Sequence, residues 1–222
     1  MEIVVGAKSG RTSQLQKPTG WLGRLTLRNM NSRHSKLTDW GLEHVSIEPH
    51  FTILDVGCGG GRTLSKLAER AAQGKVYGID YSQESVTVSA KTNARWIDMN
   101  RVEVRLGSVS QLPFPDGMFD LVTAVETHFW WSKLPSDMRE IFRVVKPSGK
   151  LIVIAEVYKG AGTTMSRLAE KYAPQTGMTL LDVAGHRELF TQAGFSDVQI
   201  IEERNHGWIC GIGKKQPLAI SS

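Results

Sequence analysis

A glycine-rich turn is the feature of the sequence that most directly suggests ligand binding. Residues 51–56 (FTILDV) lead into residues 57–61 (GCGGG). Glycines let a backbone approach a ligand closely, and the helix expected after them would present its first amides to that ligand. The dinucleotide pattern G-x-G-x-x-G is incomplete, since Arg62 or Leu64 stands where its third glycine would be. The turn therefore indicates a nucleoside site and argues against an NAD-dependent oxidoreductase.

An acid at the end of the next apolar run supports a nucleoside. Asp80 ends residues 75–80 (KVYGID), about 20 residues beyond the turn, where a carboxylate can accept hydrogen bonds from both ribose hydroxyls. The alternative is an acid at the start of a helix, where the helix dipole favours it. Because the glycine turn precedes it, ribose binding is the preferred interpretation.

Polar residues after two later apolar runs are candidates for the chemistry. Glu126 ends residues 119–126 and His128 follows them, while Glu156 lies near the end of residues 150–157 and Tyr158 follows them. A histidine titrates near neutral pH, so His128 is a candidate general base, with an orienting hydrogen bond or a surface position as its alternatives. Glu156 would bind a cationic acceptor or pair within the protein.

Aromatic residues cluster near the same point of the chain. Phe129, Trp130 and Trp131 are consecutive, so they cannot all face one core, and at least one should face a pocket. With Trp40 they are predicted to line a site for an apolar, planar or cationic acceptor. Replacing both Trp40 and Trp130 with alanine is expected to raise the KM for the acceptor and to leave the cofactor affinity unchanged.

The elements that must position these residues alternate between strand and helix patterns. Predicted strands cover residues 51–56, 75–80, 102–106, 119–126 and 150–157, with helical patterns such as residues 62–73 and 82–96 between them. This alternation indicates an α/β fold whose mostly parallel sheet is covered on both faces. Residues 195–203 and 208–212 form a predicted terminal hairpin, which requires antiparallel strands.

Four segments together resemble the successive motifs of class I S-adenosylmethionine-dependent methyltransferases. They are ILDVGCGGGRT (53–63), VYGIDYS (76–82), FDLVTAVETHFWW (119–131) and RVVKPSGKLIVIAEV (143–157). The resemblance covers residues 51–157 and implies a Rossmann-like, doubly wound, seven-stranded sheet with an antiparallel last strand. It implies S-adenosylmethionine as cofactor.

The resemblance also implies roles for individual residues. Asp55 would orient the glycine loop and lie near the methionine amino group, Asp80 would hold the ribose, and Tyr81 would lie against adenine. Glu126 would lie beside the methyl donor, which makes it a candidate for both cofactor binding and catalysis. The backbone under the cofactor would come from Gly57, Cys58, Gly59 and Gly61. Ser108 and Val109 stand where the family often has an acid for the adenine amino group.

The domain prediction divides the chain into a flexible arm and one methyltransferase domain. Residues 1–20 form the arm, and the domain covers residues 21–222. Within it, residues 21–46 form a helical cap, residues 51–157 the cofactor-binding core, and residues 158–222 a lid and the hairpin. The Gly-rich start of residues 158–178 predicts a flexible hinge for the lid.

Composition excludes several classes of protein. The 27 Lys and Arg minus 22 Asp and Glu give a net charge of +5, and the body of the chain, residues 51–205, is neutral. No uncharged apolar run approaches the roughly 20 residues of a membrane-spanning helix. Cys58 and Cys210 are interpreted as free thiols of a cytoplasmic protein. The scattered histidines indicate no metal site.

A small-molecule methyltransferase, monomeric or homodimeric, is the preferred interpretation. Two nucleic-acid chemistries are disfavoured, since no Pro-Pro pair follows the fourth strand and neither cysteine follows a proline. Methylation of ribose or guanine in RNA remains an alternative, as does a scaffold that binds the cofactor without turnover.

Overall fold

Seven strands form one mixed sheet in the computed structural model, which describes residues 35–217. The strands are β1 (Thr52–Val56), β2 (Lys75–Asp80), β3 (Val102–Leu106), β4 (Phe119–Val125), β5 (Val145–Ala155), β6 (Ser196–Glu203) and β7 (Trp208–Lys214). Their order is β3-β2-β1-β4-β5-β7-β6, and β7 is antiparallel to both of its neighbours. The predicted doubly wound, mostly parallel sheet with an antiparallel last strand is confirmed.

Helices cover both faces of this sheet. They are α1 (Ser35–Leu42), α2 (Arg62–Arg70), α3 (Gln83–Thr92), α4 (Ala94–Asp98), a 3-10 turn (His128–Trp130), α5 (Leu134–Val144), α6 (Thr164–Thr176) and α7 (Val183–Gln192). One apolar layer includes Phe119, Met138 and Phe190, and the layer on the opposite face includes Leu64 and Ile154. The sheet is therefore buried on both sides, as near-continuous apolar strands require.

Two element boundaries differ most from the sequence prediction. The helix predicted over residues 82–96 is interrupted at Asn93, between α3 and α4, and the Asn93 side-chain amide donates to the Gly61 and Ser89 carbonyls at 2.9 Å each. Strand β5 begins at Val145 rather than at residue 150, because Val145 pairs with Phe119 before a register shift. Both differences come from tertiary contacts that local patterns do not contain.

Helix α1 packs closely on the sheet. A Cβ atom at Gly41 would lie 2.3 Å from Ile154 Cδ1, and Cys210 Sγ lies 3.9 Å from the Gly41 carbonyl oxygen. Helix α1 thus fills part of the predicted cap of residues 21–46. The predicted arm and the first part of that cap, residues 1–34, lie outside the described residues.

The strand order determines where a ligand can bind. From β1 the chain adds β2 and β3 on one side and β4 and β5 on the other. At such a switch point the carboxyl ends of the central strands open a crevice. The described residues include no helix with the length and apolarity needed to cross a bilayer.

Candidate functional site

The glycine turn leaves β1 in a conformation that needs glycine. The backbone has φ of 71° at Gly57, 51° at Gly59 and 80° at Gly61, a region that residues with a Cβ atom rarely adopt. A Cβ atom at Gly57 would lie 2.2 Å from Thr127 Oγ1. The turn of residues 57–61, called the glycine cradle below, therefore presents bare backbone, and a side chain at Gly57 would collide with Thr127.

Asp80 is held by one backbone amide of the cradle and by one backbone amide of the turn after β2. Its Oδ2 accepts from the Gly59 amide and its Oδ1 accepts from the Ser82 amide, each at 2.9 Å. Burial raises the pKa of Asp80, while the Ser82 and Gly59 amides lower it. Each carboxylate oxygen keeps further acceptor capacity, which suits a pair of neighbouring hydroxyls.

Asp55 is the residue before the last one of β1, beside the cradle, and is 2% exposed. Thr123 Oγ1 on β4 donates to Asp55 Oδ1 at 2.6 Å. Burial raises the pKa of Asp55 to about 7, and the charge of Asp80 also raises it, against the hydrogen bond from Thr123. A cation bound nearby would therefore favour the ionised form of the Asp55 carboxyl group.

These residues line one cavity of about 440 Å³ at the carboxyl ends of β1, β2 and β4. The volume is within the range of small-ligand sites and near its lower end. The predicted site residues that line it are Asp55, Gly57, Cys58, Gly59, Asp80, Tyr81, Ser108, Val109, Glu126, Trp130 and Trp131. Gly61 does not line the cavity but lies beneath it, where a Cβ atom would be 2.4 Å from Ser89 Oγ.

One end of the cavity is formed by the loop after β3. Ser108 accepts from the Ser110 amide at 3.2 Å, and Ser110 Oγ donates to Asp137 Oδ1 at 2.7 Å. Asp137 is 1% exposed and lies in the first turn of α5. A helix about 25 residues further on thus holds the loop that carries Ser108 and Val109.

The other end is formed by the residues after β4. Glu126 has φ of 57°, and its Oε1 accepts from the Glu156 amide. Trp131 Nε1 donates to Thr127 Oγ1 at 3.3 Å, and Trp130 is partly exposed on the cavity wall. The end of β4 thus supplies one carboxylate and two indole rings.

His128 does not face the cavity, contrary to the expectation for a general base. The side chain is 1% exposed, and its Nε2 lies 3.1 Å from His186 Nε2 on α7. Burial lowers the pKa of His128 well below its usual value, and the charge of His186 lowers it further. A buried imidazole that faces α7 has no access to an acceptor in the cavity.

Four other predicted acceptor residues also lie away from the cavity. Trp40 packs against His44 and Trp208, at ring-centroid distances of 5.1 and 5.7 Å. Phe129 and Tyr158 are in a buried apolar cluster, and Tyr158 donates its hydroxyl to Glu202. Glu156 contributes its amide to Glu126, and its side chain does not line the cavity.

Several cavity residues were missed by the sequence analysis. They are Ser35, Thr38, Arg62, Thr63, Ser110, Thr127, Ser132 and Asp137, together with a few neighbours. Arg62, Thr63 and Thr127 lie within the quoted motifs, so their positions after β1 and β4 could have identified them. Nothing local marks Ser35 or Asp137, which reach the cavity through packing of α1 and α5. In residues 35–217 no group of three potential ligands could hold a metal ion.

Comparison with known proteins identifies the central part of this architecture. Residues 54–153 match the family model described as a methyltransferase domain. Demethylmenaquinone methyltransferase of Symbiobacterium thermophilum is 37% identical over 120 residues, which cover 52% of this chain and 47% of that protein. Phosphoethanolamine N-methyltransferase 1 of Zea mays is 29% identical over 174 residues, 78% of this chain and 34% of that protein.

The fold is shared with solved structures. A SAM-dependent methyltransferase from Aquifex aeolicus superposes with a TM-score of 0.69 at 20% identity, covering 86% of this chain and 97% of that one. The chain spans about half the length of the demethylmenaquinone methyltransferase that it matches.

Proposed function

The chain carries a class I S-adenosylmethionine-dependent methyltransferase domain, and we propose that it transfers the methyl group of S-adenosylmethionine to a small-molecule acceptor by in-line displacement. The observation that carries the proposal is the arrangement of Asp80 and the glycine cradle. The cradle admits a ligand at its backbone, and the Asp80 carboxylate is held by two amides beside it.

The residues of the cavity fit this cofactor. Asp80 would hold the ribose hydroxyls, and the loop with Ser108 and Val109 would lie along the adenine with Tyr81. Asp55 would accept from the amino group of the methionine part, since a cation stabilises its ionised form. The backbone of residues 57–59 would pass under the cofactor. When bound, the cofactor would supply a methyl group on a sulfonium sulfur. The acceptor would form a bond to the methyl carbon while the carbon–sulfur bond breaks, and the sulfur would leave as a thioether.

The protein's own contribution is to align the acceptor and exclude water. Trp130 and Trp131 would provide the wall against which an acceptor lies, beside the end of β4. Because His128 is buried against α7, Glu126 is the predicted residue at this end that could take a proton from the acceptor. Its left-handed backbone conformation is the kind of local strain found at functional sites.

The cavity and the relatives both support a small acceptor. A volume of about 440 Å³ is typical of small-ligand sites. The names of the relatives, demethylmenaquinone and phosphoethanolamine methyltransferases, point to small molecules as well. We place the activity in the cytoplasm, in a monomer or homodimer, with Cys58 and Cys210 as buried free thiols.

Calorimetry followed by product detection tests this proposal. S-adenosylhomocysteine and S-adenosylmethionine should bind with micromolar affinity, whereas NAD should not bind. A metabolite panel of phenols, quinols, amines and phosphorylated amines, incubated with trideuteromethyl-labelled cofactor, should give one labelled product by mass spectrometry. Binding without turnover on the panel or on RNA would favour a scaffold, and labelled RNA would overturn the small-molecule assignment. No binding of either nucleoside would overturn the proposal as a whole.

A further inference from the structure

The buried histidine pair of the 3-10 turn and α7 has no part in the proposed chemistry. We propose that His186 is a positioning residue, whose hydrogen bond with His128 fixes the turn that carries Trp130 into the cavity wall. This inference rests on the proposed function only in taking the Trp130 wall as the acceptor side.

The hydrogen bonds define the tautomer of both rings. His186 Nδ1 lies 2.8 Å from the Asp182 carbonyl oxygen, which can only accept, so His186 Nδ1 carries the hydrogen. In a neutral ring, His186 Nε2 is then an acceptor. His128 Nε2, at 3.1 Å from it, must be the donor. The contact is thus a directed N–H···N bond between two neutral imidazoles.

A second tether joins the same turn to the segment before α7. The Thr179 amide donates to the Phe129 carbonyl oxygen at 2.8 Å. Asp182 begins α7 as its N-cap, accepting from the Gly185 amide at 2.7 Å. The turn His128–Trp130 is therefore held from one side by α7 and by the residues leading into it.

Packing alone does not account for two imidazoles at these positions. His128 Nδ1 is buried with no hydrogen-bond partner among the described residues. A buried polar atom without a partner destabilises a fold, and two apolar side chains would avoid that cost. What the pair provides instead is a directional bond, which specifies one orientation of the turn.

That orientation matters at the cavity because the turn is short. His128 and Trp130 are two residues apart in this turn. His128 contacts His186 on α7, whereas Trp130 lines the cavity and also packs against the apolar cluster of Phe129 and Tyr158. Because both side chains extend from one short turn, a shift of His128 away from His186 would move the backbone that carries Trp130. The bond between α7 and the turn therefore determines where the Trp130 ring lies.

Nitrogen NMR of the full chain tests the bond directly. With ¹⁵N-labelled histidine, His186 should show a protonated Nδ1 and His128 a protonated Nε2, with a nitrogen–nitrogen coupling across the bond. The opposite tautomers, or no coupling, would overturn the inference, and this measurement does not depend on any variant folding.

Two substitutions test the positioning. His186→Leu removes the acceptor, whereas His186→Gln keeps a side-chain oxygen that can accept from His128. Iodide quenching of Trp130 alone is obtained by subtracting each protein's Trp130→Phe counterpart. We expect His186→Leu to raise this quenching about twofold or more and His186→Gln to restore most of it. His50→Leu, at an exposed histidine of the α1–β1 link, should leave it unchanged.

The cofactor affinity separates the positioning role of His186 from the proposed function. S-adenosylhomocysteine should bind His186→Leu within about threefold of the unmodified chain, because the cradle is formed by other elements. Unchanged Trp130 quenching in a folded His186→Leu would overturn the positioning role and leave the proposed function intact. Failure of the unmodified chain to bind this nucleoside would remove the proposed function, whereas the Trp130 readout would still stand.

Discussion

Asp55 and Asp80 lie at the carboxyl ends of neighbouring parallel strands, one residue before the end of β1 and at the end of β2, and both line the same cavity, so the charge of Asp80 opposes ionisation of Asp55. Asp55 pairs in register with Gly78 on β2, two residues before Asp80. The two groups differ in their donors, since Asp80 accepts from two backbone amides and Asp55 from the Thr123 hydroxyl. Burial raises the pKa of Asp55 to about 7, and the charge of Asp80 also raises it, against the one hydrogen bond from Thr123.

Cofactor affinity should therefore depend on pH through Asp55. The ammonium group of the ligand favours ionised Asp55, so binding below the pKa of about 7 must release a proton. Affinity for S-adenosylhomocysteine should rise by up to about tenfold per pH unit as the pH increases towards 7, and then level off. Calorimetry between pH 5.5 and 8.5 in buffers of different ionisation enthalpy measures both the affinity and the proton release. Asp55→Asn should bind more weakly with a flat profile, and a steep profile in that variant would assign the dependence to another group.

The same substitution should stabilise the protein in the absence of ligand. Asp55 has a folded-state pKa raised from 3.8 to about 7, so the folded state binds the extra proton and stability falls as pH rises through that window. At pH 8, Asp55→Asn should raise the free energy of unfolding by up to about 4 kcal/mol, and at pH 4 by little. Urea unfolding at the two pH values measures the difference. An equal change at both values would contradict the titration of Asp55.

Removing the charge of Asp80 should abolish most cofactor binding. The two carboxylate oxygens of Asp80 accept from the Gly59 and Ser82 amides, one each. An asparagine side chain has only one oxygen that can accept, so one of these amides would lose its partner. We expect Asp80→Asn to weaken S-adenosylhomocysteine binding by about 10- to 100-fold, the range for lost hydrogen bonds to a charged group. Asp197→Asn is the matched control, since Asp197 is exposed on the edge strand β6 and its left-handed backbone accepts asparagine. Equal losses in the two variants would indicate a general effect on the fold.

The part of the cavity lined by the glycine turn and Asp80 could be predicted from the sequence because its signals are local. The turn at Gly57 and the acid at Asp80 stand directly at the ends of apolar runs, so parallel strands bring them together without further information. The part of the cavity after β4, which we propose for the acceptor, could not be predicted in this way. The direction of each side chain in the 3-10 turn depends on what α7 supplies, and His186 lies 58 residues from His128. Asp137 likewise reaches the loop after β3 only through the packing of α5.

The glycine cradle offers a test that separates backbone strain from crowding. Gly61 and Gly160 have similar φ values of 80° and 87°. A Cβ atom at Gly61 would lie 2.4 Å from Ser89 Oγ and 2.5 Å from Asn93 Nδ2, whereas nothing lies within 4 Å of one at Gly160. Gly160→Ala should lower the free energy of unfolding by about 1 kcal/mol, from the left-handed backbone alone. Gly61→Ala should lower the free energy of unfolding by about 1–3 kcal/mol more than Gly160→Ala does, because α3 must move. Equal values by chemical unfolding would show that α3 adapts without cost.

Two of the three tryptophans predicted for the acceptor site, Trp130 and Trp40, should behave differently. Trp130 lines the cavity, whereas Trp40 packs on Trp208 at 5.7 Å between ring centroids. With an acceptor identified from the product panel, Trp130→Ala should raise its KM by about tenfold, because an apolar ring wall contributes on the order of 1 to 2 kcal/mol. The affinity for S-adenosylhomocysteine should stay within about twofold, since Asp80 and the glycine cradle are unchanged. Trp40→Ala should leave KM unchanged and lower the melting temperature instead, as its ring covers the α1 side of β7. A rise of KM in Trp40→Ala alone would place the acceptor on the α1 side and remove Trp130 from its wall.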